Sequence, residues 1–124
     1  MNYTIIIEVI SSCRIIHTSL NGKMFESLRD NIAFETVNTM RRENISKVLW
    51  DVRETELEHS LIGSHQAIVN LEALGVRRTD SIAVVYKNNS EQHEYASVVA
   101  SNRGITNVRY FNDLQSGIDW LLSR

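Results

Sequence analysis

A chain of 124 residues with 43% apolar and 23% charged side chains has the size and composition of one ordinary globular domain that can bury its own core. Its net charge of -2 supplies no electrostatic pull toward nucleic acid or an anionic membrane, and no segment is apolar for long enough to span a bilayer. The lone Cys13 cannot form an internal disulfide, and the start MNYTIIIEVI lacks the basic residues of a signal peptide, so the expected location is the cytoplasm.

There is no proline, so Gly, Asn, Asp and Ser mark the joints where the apolar period switches between two and about 3.6. Two Ile-rich runs, 3–9 and 14–20, separated by ISSC, predict an antiparallel hairpin, with Cys13 as a small core residue. NGK at 21–23 is expected to turn the chain into a helix on which Phe25, Leu28, Ile32, Ala33 and Met40 share the sheet-facing side, ending near Glu43 and Asn44. Strand 45–52 then leads to helix 60–74 with Gly75 as its cap, strand 81–86 to helix 91–103 with Gly104 as its cap, and strand 107–111 to a last helix ending at Leu122. Ser90, and Asn112 with Gln115 three residues on, have the chemistry of helix N-caps. SIAVVY is apolar without alternation, as a central strand buried on both faces requires. The predicted fold class is α/β: a mixed five-stranded sheet with a leading antiparallel strand, then parallel strands joined by right-handed crossovers, and four helices in a single domain over 1–124.

The element order, the strand end LWDV, the central SIAVV and above all the closing NVRYFNDLQSGIDWL resemble the small SpoIIAA-like proteins of the STAS superfamily, over nearly the whole chain. The resemblance implies a fold like that of anti-sigma-factor antagonists, which bind a kinase partner and are switched by phosphorylation of a serine at the start of the second helix, in an Asp-Ser-Ser-Gly sequence. The corresponding stretch is LEHSLIG, and only Ser60 stands at the serine's place; Glu58 and His59 replace the preceding acidic and serine residues, and the glycine, Gly63, falls later. Some relatives are grouped with lipid-binding Sec14-type domains, which makes a small apolar or lipid-like ligand the alternative to a protein partner.

Read from the residues, Ser60 suits an N-cap, and a phosphate there would meet free amides at the positive end of the helix dipole. Ser64 falls among the core positions Leu61, Ala67, Ile68, Leu71 and Leu74, as a small residue for close packing. Once these turn inward, Ile62, His65, Val69 and Glu72 form a flank with the character of a partner surface, the alternative being that a neighbouring helix covers it. Phe34 projects away from the core side of the first helix, which points to self-association as a homodimer. Asp51 ends a strand where open parallel sheets place ligand sites; with Arg53, Lys87 and Asn88 it makes a polar rim, and its ordinary role is either an ion partner for Arg53 or a cap for the loop leading to Ser60.

Catalytic and metal chemistry find little support. His59 and His65 are six apart, off a common helix face, and no Cys or second carboxylate completes a zinc pattern; His17 and His93 read as surface or edge residues. A receiver-type role for Asp51 would need further carboxylates at the preceding strand ends for a divalent cation. No nucleophile elbow, phosphate loop or dinucleotide fingerprint is present. The expectation is a non-enzymatic regulatory or scaffolding module without cofactor or metal, binding a protein partner.

Overall fold

The computed structural model describes residues 3–58 and 61–124, and leaves the side chains of 3, 61, 62 and 64 aside. Strands β1 (Tyr3–Ile10) and β2 (Ile15–Met24) form the antiparallel hairpin, paired so that Glu8 faces His17 and Ile10 faces Ile15. Helix α1 (Glu26–Glu43) follows and ends on Asn44 in the left-handed conformation (φ 53°) that asparagine tolerates. The remaining elements are β3 (Lys47–Val52), β4 (Thr55–Leu57), α2 (Leu61–Val69), β5 (Ser81–Tyr86), α3 (Ser90–Asn102), β6 (Val108–Phe111) and α4 (Leu114–Leu122). The sheet order is β1-β2-β3-β5-β6, parallel from β2 onward, with β4 pairing the far end of β2.

The expected mixed sheet with four helices is therefore the architecture, but among the described residues the strands number six. The reason is that β2 outruns β3. Beyond Leu20 its backbone groups still need partners, and β4 supplies them by pairing Gly22–Thr55, Lys23–Glu56 and Met24–Leu57. Asn21–Lys23 accordingly continue a strand, with Gly22 at φ 125° and its N–H donating to the Glu54 carbonyl at 3.0 Å, and do not turn the chain into the helix. Phe25 becomes the N-cap residue of α1 and is exposed, not part of its core side. Cys13 sits half-buried in the hairpin turn and not in a strand.

Helix ends differ for equally local reasons. Past Val69 the bonds lose their regular spacing, Leu71 N–H to the Ile68 carbonyl and Gly75 N–H to that of Glu72 at three residues, Leu74 N–H to Asn70 at four and Val76 N–H to Leu71 at five, so α2 stops short of 74. Asn89, not Ser90, holds the N-cap of α3, in the left-handed region at φ 59°. Asp113, not Asn112, caps α4, accepting from the Ser116 N–H at 2.8 Å.

Side chains alternate across the sheet. On β3, Val48 and Val52 meet α1 through Val37, Met40, Leu28 and Ile32, whereas Leu49 meets α4 through Leu121. Helices α2 and α3 pack on each other, burying Ile68 against Ala96, Val99 and Ala100. On the opposite face α4 covers β3, β5 and β6, while the β1–β2 part of that face extends past it and Ile6 stands 52% exposed there.

Candidate functional site

Asp51 shares the α4 face of β3 with Leu49, at the C-terminal end of the strand, and is buried. A buried carboxylate needs partners, and it has two. Arg53 forks onto it, Nε to Oδ1 at 2.9 Å and Nη2 to Oδ2 at 2.8 Å, and the Arg53 N–H adds a bond at 3.3 Å. His17 Nε2 lies 3.0 Å from Oδ2, and the other ring nitrogen lies 3.2 Å from Glu8 Oε1. Four side chains from β1, β2, β3 and the turn after β3 thus form one chain of charge, Glu8–His17–Asp51–Arg53.

Burial pushes the Asp51 carboxyl up, but the bonds from Arg53 and His17 outweigh it and hold it well below the usual carboxylate range. The Asp51 bond, opposed by burial and helped by the Asp51 and Glu8 charges, raises His17 above its ordinary value. The imidazolium is the form this site stabilises.

Of the predicted rim, Asp51 and Arg53 are thus joined. Asn88 reaches the Arg53 carbonyl only at 3.5 Å, and Lys87 is exposed beside it without entering the network. The neighbouring Asn89 does more: its side-chain carbonyl accepts from the Leu57 N–H at 2.9 Å, tying the start of α3 to β4. His17 is a partly buried member of an ion network and not a plain surface residue. The hairpin pairs residues 8 and 17 because its turn falls at 11–14, one residue later than ISSC. His93 is buried, not exposed, and stacks on Tyr86 with ring centroids 4.9 Å apart.

The approach to α2 is tethered on several sides. Beyond the Asn89–Leu57 bond, the Glu58 N–H donates to the Met24 carbonyl at 2.9 Å and the Glu58 carboxylate lies 3.5 Å from Lys23 Nζ. Within α2, the buried Arg29 of α1 donates from Nη1 to the Gly63 carbonyl at 3.0 Å. Ser60 and His59 lie outside the described residues, as does the Ile62 side chain.

His65 and Val69 are half-buried on α2. Val69 lines a groove of about 740 Å³ at the other end of the sheet, between α1 and the segments leading into β5 and β6, and Phe34, 53% exposed, lines it too. The structure brings these two of the predicted partner residues together. Val69→Asp is expected to lower stability by about 1 kcal/mol, not by the several kcal/mol of a charge sealed in a core, because the carboxylate reaches groove water. Urea unfolding checks this.

The groove has a rigid floor that sequence reasoning missed. Arg41 forks onto the buried Asp80 at 3.0 and 2.6 Å, Asp80 accepts the Arg77 N–H at 2.7 Å, and Asn107 donates to the Arg77 and Asp80 carbonyls at 3.0 and 2.9 Å. A separate cavity of about 90 Å³ lies under α2 beside α1, lined by apolar groups of Val37, Met40, Trp50, Ile68 and Leu71, with Arg29 among the polar ones. Among the described residues no three His, Cys, Asp or Glu side chains are placed to hold a metal ion, and no helix is long and apolar enough to cross a membrane.

No protein-family profile matches the chain, and no curated protein does. Among solved structures it is similar to the crystal structure of an anti-sigma factor antagonist from Mycobacterium paratuberculosis: TM-score 0.63 at 10% identity, over 96% of this chain and 93% of that one. The fold of this chain is that of the anti-sigma factor antagonist, as the resemblance in sequence implied.

Proposed function

We propose that the chain is a non-enzymatic regulatory module, acting in the cytoplasm, that binds a protein partner at the C-terminal end of its sheet and the start of α2. The similar structure is of an anti-sigma factor antagonist, a regulator by its description. The observation that carries the reading to this surface is the tethering of the α2 approach: β4, Asn89 and Lys23 hold the chain up to Glu58, and Arg29 holds Gly63, on either side of Ser60. Fixed flanks present a short segment at low entropic cost on binding. Asp51, Arg53, Lys87 and Asn88 supply the polar rim beside it.

Ser60 is the proposed switch. A phosphate there adds charge that opposes a docked partner, and stabilises the helix start by about 1 kcal/mol or less. Intact-mass measurement on protein from its own host should show a phosphorylated fraction in some growth conditions, and Ser60→Asp should release a partner that Ser60→Ala retains. An unmodified mass throughout, with both variants binding alike, would remove the switch.

The cavity under α2 favours a second reading, a small apolar or lipid-like ligand held between helix and sheet. Protein purified from its host would then carry an extractable small molecule visible by mass spectrometry, and a protein-binding module would be empty.

A further inference from the structure

The groove at the N-terminal end of the parallel strands has a composition of its own. Phe34, Val69 and Ile105 give it apolar walls, and Arg77, Arg78 and Arg103 stand exposed around it. Arg41, also in the lining, is already engaged by Asp80; among the described residues no carboxylate lies within ion-pair distance of the other three, and Glu72 is the one acidic side chain in the lining. Its occupant should therefore carry carboxylates around an apolar anchor. A flat membrane does not enter a concave site, and a polyanion would be repelled by the remainder of a chain whose net charge is -2.

Such an occupant is displayed by the chain itself. On α3, Glu91, Glu94, Tyr95 and Val98 follow the spacing that places them on one helix face, and all four are exposed, Tyr95 by 39% and Val98 by 55%. Neither glutamate forms an ion pair among the described residues. Two carboxylates beside two apolar groups mirror the groove's arginines beside its apolar walls.

We propose that the chain associates head to tail, the outer face of α3 in one copy seated in the arginine-rimmed groove of the next. The two patches differ, so the contact is heterologous and builds a ring or an open chain, unlike a two-fold dimer. The exposed ion pairs set orientation and contribute little energy; Tyr95 and Val98 against Phe34, Val69 and Ile105 supply most of the affinity. The proposal does not depend on the regulatory reading above.

Sedimentation equilibrium tests it. At about 0.5 mM protein in low salt, the weight-average mass should be at least about twice the 14.2 kDa of one chain, and should fall back toward it in about 0.5 M salt. Glu91→Arg with Glu94→Arg, Arg77→Glu with Arg78→Glu, and Phe34→Glu should each leave a monomer. Mixing the first two in equal amounts should restore association, because the glutamate face of the second meets the native groove of the first and the reversed face of the first meets the reversed groove of the second, so that the weight-average mass rises well above that of either variant alone. Circular dichroism verifies that each variant is folded; Val98→Ser and Arg103→Gln replace a double variant that is not. A monomeric wild type at all concentrations, association that survives either reversal, or a mixture of folded variants that stays monomeric would overturn the proposal.

Discussion

Asp51→Ala is expected to lower the unfolding free energy by about 2 to 3 kcal/mol, measured by urea denaturation at neutral pH. Removing one member of a buried ion pair costs about 3 to 5 kcal/mol when the orphaned charge has nowhere to go. Here the side chain of Arg53 is 37% exposed and can turn to water, which reduces the loss. His17, at 20%, is less free, and retains only Glu8. The variant should also change how stability depends on pH. Asp51 has a lowered folded pKa, so its contribution is complete above the ordinary value of 3.8 and is lost as the pH falls through the folded value. His17 has a raised folded pKa, so its contribution is complete below 6.5 and is lost as the pH rises through the folded value. The gap in stability between wild type and Asp51→Ala should therefore be widest in mildly acidic solution and narrow on either side. An NMR titration of the His17 ring should show its pKa moving down in the variant. A gap that is flat across about pH 4 to 8 would mean that the network is not charged as described.

How much of this site could be read from sequence depends on how far its partners lie apart along the chain. The Asp51–Arg53 pair was legible because two residues on one strand end are neighbours whatever the fold. The Glu8–His17 contact was not, because a turn at ISSC sets Glu8 opposite Ile15, whereas the turn falls one residue later, at 11–14, and sets Glu8 opposite His17. The contact between His17 and Asp51 was not, because it requires β2 to lie beside β3, a fact about sheet order that periodicity does not carry. The same limit hid β4. Three residues are too few to show a period, and only the unpaired end of β2 gives them a reason to be a strand. His93 was misjudged because a lone polar residue on a helix says nothing about which ring it meets; Tyr86 lies at the end of β5.

The arginine groove shows the opposite case. Arg41 stands in the last turn of α1, Arg103 at the end of α3 and Arg77 in the connection into β5, and in a parallel sheet the helix ends and connections that lead into strands lie at the strands' N-terminal ends. Their convergence follows from the topology already predicted. What sequence does not supply is which of them is spent, and the buried Asp80 settles that by engaging Arg41 and leaving the others exposed.

Gly117→Leu is expected to cost about 3 kcal/mol or more, and Gly117→Ala less, about 1 to 2 kcal/mol. A Cβ on Gly117 would lie 2.9 Å from Val85 Cγ2 and 3.4 Å from Leu49 Cδ1. Both neighbours are buried strand residues, and a β-branched side chain such as Val85 has no second χ1 well to move into without a clash. Alanine gains about 1 kcal/mol from helix propensity, which offsets part of the overlap; leucine adds three carbons to it with no further gain. Gly104→Ala is the contrast, since nothing lies within 4 Å of its Cβ and only the left-handed φ of 70° opposes it, at about 1 kcal/mol. The order of destabilisation in urea midpoint, Gly117→Leu, then Gly117→Ala, then Gly104→Ala, separates crowding from backbone strain. Among the described residues α4 is the one helix on its face of the sheet, so lifting it uncovers Leu49, Val85 and Ala83 together while the α1 face stays packed. If Gly117→Leu unfolds at the wild-type midpoint, α4 does not sit this close to β5.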